Sequence, residues 1–132
     1  MAHTHDHHHN HDAHLRAAEA LCASAGEALT PLRRQVLAML LDHHGPAKAY
    51  DLLEGLKTGR SSAKPPTIYR ALDFLMRMGL AHRIESLNAY VACDVGCMHA
   101  PAMFLICDRC QRISELHCEP LDGEIRAAAA AA

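Results

Sequence analysis

Apolar positions recur at helical spacing over the first two thirds of the chain and then switch to alternation, the outline of a helical unit followed by a β-hairpin. From Leu15 onward, Ala18, Leu21, Cys22 and Ala25 share one stripe, and Gly26 stops the helix. Thr30-Pro31 gives an N-cap with proline in the first turn, opening a second helix with Val36, Leu37, Leu40 and Leu41 on one side, ended by Gly45-Pro46. Leu52, Leu53 and Leu56 mark a short third helix from Ala49, and Gly59 to Ala63 reads as a polar turn. The fourth helix starts at Pro65-Pro66-Thr67 with Ile68, Ala71, Leu72 and Leu75 inward, leaving Thr67, Tyr69, Arg70, Asp73 and Arg77 outward.

After Gly79 the period drops to two. Ala81 to Glu85, a Ser86-Leu87-Asn88 turn and Ala89 to Ala92 predict a hairpin, which beside the helices makes a winged helix-turn-helix. Phe104-Leu105-Ile106 and Arg112 to Leu116 predict two more strands joined through Cys107-Asp108-Arg109-Cys110, and a further helix opens at Leu121. Residues Met1 to His14 carry seven histidines in a polar, low-complexity run expected to be a disordered leader. The longest apolar stretch, Val36 to Leu41, is too short to span a bilayer, and no secretion signal precedes it, so a cytoplasmic protein is the expectation.

Charge is uneven. From Thr30 to Arg83 there are nine Lys/Arg against four Asp/Glu, whereas the chain from Ile84 onward has three against seven. A basic middle with acidic flanks fits a nucleic-acid face built from one domain. Arg70 is best placed to read a base, since its fork matches guanine O6 and N7. Tyr50, Lys64, Thr67, Tyr69 and Arg77 are expected to contact phosphate or sugar, with Arg33, Arg34, Lys57 and Arg60 adding a salt-dependent background.

The cysteines cluster late: Cys93, Cys97, Cys107, Cys110 and Cys118 follow Cys22. Clustered thiols without a secretion signal read as metal ligands rather than a disulfide framework, and the surroundings of the Cys-x-x-Cys do not resemble those of a redox pair. If the hairpin turns through Leu87 and Asn88 alone, His82 lies opposite Cys93 with Cβ atoms about 5 Å apart, close enough to share an ion. His99 and Glu115 would then complete four ligands. Cys107 and Cys110 have the spacing of a zinc knuckle, with Cys97 and Cys118, or residues further on, as candidate partners. An enzyme is not expected: a zinc deaminase needs His-x-Glu followed by Pro-Cys-x-x-Cys, but His82 is followed by Arg-Ile-Glu and Cys107 is preceded by Ile106.

From Leu29 to Glu115 the sequence resembles the Fur family of bacterial metal-dependent repressors, most closely its zinc-sensing branch. The resemblance runs through Leu29-Thr30-Pro31-Leu32-Arg33, Ala49-Tyr50-Asp51-Leu52-Leu53, the long block from Lys64 to Leu75, Gly79 to Ser86, Tyr90-Val91-Ala92-Cys93 and Phe104 to Cys110. It implies an α+β chain: a winged-helix DNA-binding domain over 15–93, a hinge over 94–102, and the start of an α/β dimerisation domain over 103–132 that looks truncated. It also implies a homodimer on double-stranded operator DNA, a structural zinc held by four cysteines, with the first pair at Cys107 and Cys110, and a regulatory zinc at His82, Cys93, His99 and Glu115. The implied function is zinc-dependent repression of zinc-uptake genes. The alternatives are an iron, manganese or peroxide sensor of the same family, or a zinc-storage or delivery protein using the leader. A single histidine between Cys97 and Met103 and a thiolate at Cys93 favour zinc over iron or manganese. The sequence departs from the family in lacking the second Cys-x-x-Cys and in one residue inserted between His99 and Cys107.

Overall fold

The computed structural model describes residues 7–43, 45–60, 62–93, 103–110 and 113–116, with short helical stretches at 127–128 and 130–131. Four helices, α1 (His7–Ser24), α2 (Pro31–Asp42), α3 (Ala49–Lys57) and α4 (Pro65–Arg77), precede an antiparallel hairpin of β1 (Ala81–Ile84) and β2 (Ala89–Ala92). A second antiparallel hairpin joins β3 (Met103–Ile106) to β4 (Ile113–Leu116).

One apolar cluster holds the helices together. Leu15, Ala18 and Cys22 of α1 meet Val36, Leu37 and Leu40 of α2, Leu52, Leu53 and Leu56 of α3, and Ile68, Leu72 and Leu75 of α4, the stripes expected from the spacing. Burial in this cluster pushes the Cys22 thiol above its ordinary range, so this cysteine is a core residue.

Local signals set the helix ends. The Thr30 hydroxyl accepts from the Arg33 backbone N–H at 3.4 Å, and Pro31 occupies the first turn, where its missing N–H costs nothing. Thr30→Ala is expected to lower stability by about 1 kcal/mol, read as a shifted denaturant midpoint at unchanged slope. Two glycines in the left-handed region end α1 and α4 in the same way. Gly26 (φ +72°) donates to Ala23 O while Glu27 donates to Cys22 O, and Gly79 (φ +73°) donates to Met76 O while Leu80 donates to Leu75 O. At the second of these caps Leu75 and Leu80 are both fully buried, so the cap fixes where the chain leaves α4 and enters the hairpin.

Two expectations are corrected. The first is the leader: α1 spans His7–Ser24, so the part of the leader from His7 to His14 is helical, while residues 1–6 lie outside the described residues. Histidine is a mediocre rather than a prohibited helix former, and His11 lies on the stripe that continues into Leu15 and Ala18. Its Nδ1 meets Asp42 Oδ1 at 2.8 Å, which ties the first turns of α1 to the end of α2.

The second is the hairpin register. His82 pairs with Val91, Ile84 with Ala89 and Ala81 with Ala92, so His82 is not opposite Cys93. The favoured two-residue hairpin turns need positive φ at the first central position, which the bulky Leu87 resists. The chain instead makes a four-residue loop: Glu85–Leu87 form one 3₁₀ turn, and Asn88 alone takes the left-handed conformation (φ 48°, ψ 48°), donating back to Glu85 O at 3.1 Å. The helix expected at Leu121 begins outside the described residues, and the hinge at 94–102 lies outside them too.

Candidate nucleic-acid interface and metal site

The outer face of α4 is polar because its apolar residues are consumed by the core. Tyr69, Arg70, Asp73 and Arg77 are exposed along it, and Thr67 is half-buried. Tyr50 at the start of α3 is 70% exposed and Tyr69 is 51% exposed. Two exposed tyrosines lining one groove offer a candidate contact surface, each with an apolar ring and a polar hydroxyl. An open groove brings together Tyr50, Tyr69, Asp73, Arg83 and Asn88, with the buried Tyr90 beneath them, so α3, α4 and the wing share one surface. Burial pushes the Tyr90 hydroxyl up, Arg83 pulls it down, and Tyr69 and Asp73 raise it further.

The cations on this side divide by whether they already have a partner. Arg33 stacks on Phe74 at 3.7 Å and donates to Ala28 O at 2.8 Å, Arg34 pairs with Glu19 at 2.8 Å, and Lys57 pairs with Glu54 at 3.4 Å. Arg77 reaches Glu27 at 3.5 Å and lies 5.4 Å from the Phe74 ring. Arg33 and Arg77 therefore clamp Phe74 and hold the α1–α2 connection against α4. Exposed pairs of this kind are worth at most about 1 kcal/mol and can be exchanged for phosphate. Arg60, Lys64 and Arg70 have no ion pair among the described residues and present their charge to solvent. Sequence reasoning did not single out Lys48 and Arg83, which line the same groove; the signal available was their position flanking Tyr50 and the wing turn.

The metal ligands expected on the wing survive the change of register in one respect. The shift amounts to two residues, which moves Cys93 from opposite His82 to a diagonal position without changing its face. Diagonal neighbours stand about 7 to 8 Å apart, within reach of an imidazole. Cys93 lies beyond β2, and its backbone N–H donates to Leu80 O at 2.9 Å, continuing the ladder.

This face of the hairpin is not the one that meets the helices. Ala81 and Tyr90 belong to the helical core, whereas Ile84, Ala89, Val91 and Cys93 are buried yet stand outside it. A two-stranded hairpin buried on both sides needs a second cover. Part of it is β3: the half-buried His82 ring meets the Phe104 ring edge-on, with centroids 5.7 Å apart and planes at 63°. Phe104 in turn is the register partner of Glu115 in β4. Of Glu115 only this strand position is described, and His99 lies outside the described residues. Among the described residues no three His, Cys, Asp or Glu side chains converge as a metal site. Cys107 and Cys110 are exposed at the turn between β3 and β4, while Cys97 and Cys118 lie outside the described residues.

Comparison with known proteins gives this arrangement a setting. The zinc uptake regulation protein of Escherichia coli (strain K12) is 47% identical over 103 residues, covering 76% of this chain and 60% of that protein, so the match spans three fifths of the curated relative. A zinc uptake regulator complexed with zinc and DNA superposes with a TM-score of 0.80 at 39% identity, over 91% of this chain and 81% of the other. A second regulator, XcZur, matches in its holo form with a TM-score of 0.75 at 42% identity, over 91% of this chain and 84% of that one. In its apo form the TM-score is 0.61 at 41% identity, over 92% and 84% of the two chains. The model of the ferric uptake regulator family matches residues 24–131. With its winged-helix architecture and this match across most of its length, the chain belongs to the ferric uptake regulator family.

Proposed function

We propose that this chain is a zinc-responsive transcriptional repressor of zinc-uptake genes, a cytoplasmic homodimer that binds double-stranded operator DNA when zinc is plentiful. The observation that carries the reading is the contact between His82 of the wing and Phe104 of the second hairpin, with Glu115 across the ladder from Phe104. Glu115 is the register partner of the strand residue that touches His82, and this supports grouping it with the wing ligands. His82 and Cys93 from the wing, His99 from the connection and Glu115 from β4 form the regulatory set. Imidazole, thiolate and carboxylate donors suit zinc, and the Cys93 thiolate argues against the iron, manganese and peroxide alternatives. Zinc bound there supplies a crosslink between the DNA-reading unit and the chain after it. Cys107 and Cys110 are the first half of a structural zinc site.

The protein's own residues then do the reading. Arg70 addresses a base edge, while Tyr50, Lys64, Thr67 and Tyr69 hold register on the backbone, and Arg77 joins them if it releases Glu27. In a symmetric dimer two copies of α4 must match half-sites about 34 Å apart, which a loose wing satisfies only in a fraction of its orientations. Affinity falls by that fraction, so fixing the wing raises it. The unequal match to the holo and apo forms of XcZur, at nearly equal identity, supports occupancy changing the arrangement of such a chain. Titration of operator-like DNA with protein, in zinc and in chelator, tests the proposal. Tight binding with zinc and weak binding without it is expected; equal binding in both, or restoration by iron or manganese but not by zinc, would reject it.

A further inference from the structure

Asp73 stands in the middle of the outer face of α4, three residues after Arg70 and four before Arg77. A carboxylate with arginine four residues on ordinarily closes an intrahelical pair. Here Arg77 is turned to Glu27 at 3.5 Å, and Asp73 forms no ion pair or hydrogen bond among the described residues. The side chain is exposed and lines the groove shared with Tyr50, Tyr69, Arg83 and Asn88.

An unneutralised carboxylate at the centre of a face that meets DNA repels phosphate and weakens binding to every duplex. Its complement in the major groove is the exocyclic amino group, above all cytosine N4, whereas guanine O6 and thymine O4 present acceptors to it. Resting on the DNA-binding reading above, we propose that Asp73 is a specificity-determining residue that accepts a hydrogen bond from a cytosine amino group in each half-site. Its negative charge trades general affinity for discrimination. Arg70 and Asp73, one helical turn apart, would thus read opposite chemistries: acceptors by the guanidinium and a donor by the carboxylate.

The test is selection from a random duplex library, with zinc present, by the wild-type protein, Asp73→Ala and Asp73→Asn. The wild type is expected to enrich a motif with cytosine at one position in each half-site. Asp73→Ala should lose about tenfold preference at that position alone while binding random duplex more tightly, because one repulsive charge is gone. Asp73→Asn should move the preference toward adenine, whose N6 and N7 an amide pairs. An unchanged Asp73→Ala motif, or uniform loss at every position with weaker binding to random duplex, would overturn the inference and leave Asp73 a support for the wing. Failure of the wild type to enrich any motif would reject the DNA-binding reading and the inference together.

Discussion

Replacing His82 with Ala is expected to make DNA binding insensitive to zinc, holding it near the affinity of the zinc-free protein at all zinc concentrations. Coupling between two ligands typically amounts to about 1 to 3 kcal/mol, or roughly 5- to 150-fold in affinity, and the variant should forfeit nearly all of it. His82 is half-buried and stands outside the helical core, so its truncation removes the ring contact with Phe104 without opening a cavity among α1 to α4. The helical unit should therefore keep its melting behaviour, which separates loss of response from loss of fold. Linkage gives a second readout: operator DNA should tighten zinc binding by the wild-type protein and by the same factor, and should not do so for the variant. A variant with full zinc dependence would remove His82 from the mechanism.

Arg70→Ala should cost about 1 to 3 kcal/mol of binding to a selected operator, with a much smaller effect on random duplex. Arg70 is exposed on α4 and has no ion pair among the described residues, so on the proposed reading its guanidinium has none of those pairs to give up. Arg77 makes the contrast, because its fork is already engaged by Glu27 and by the Phe74 ring. Competition binding against operator and random duplex at one salt concentration distinguishes a base contact from a phosphate contact, since the latter weakens both alike. Equal loss on both would reassign Arg70 to the backbone.

Much of the fold was legible because caps and period agree. Thr30-Pro31 opens α2, Gly26 and Gly79 close α1 and α4, and the leucine stripes of α2 to α4 face inward as their spacing implies. The change from helical spacing to alternation at Ala81 located the start of the wing, although its first strand ends at Ile84, one residue before the expected Glu85. Features that depend on a partner far along the chain were not legible. The extension of α1 to His7 goes with contacts such as that of His11 with Asp42, 31 positions away, and composition alone pointed the other way. The engagement of Arg77 by Glu27 likewise joins residues 50 positions apart. The hairpin register failed on turn chemistry: Leu87 cannot share a two-residue turn with Asn88, and the four-residue loop moved Cys93 along the ladder. The parity of strands kept His82 and Cys93 on one face even so. The groove residue Arg83 was hidden because an alternating strand says which face a cation occupies but not which helix lies beside it.

A crystal structure of the zinc-loaded protein tests whether one ion ties the wing to the chain that follows it. One tetrahedral zinc is expected, held by His82 and Cys93 from the wing together with His99 and Glu115 from beyond it, with zinc to nitrogen distances of about 2.0 Å and zinc to sulfur of about 2.3 Å. Zinc found elsewhere, with these four side chains in separate coordination spheres, would contradict it.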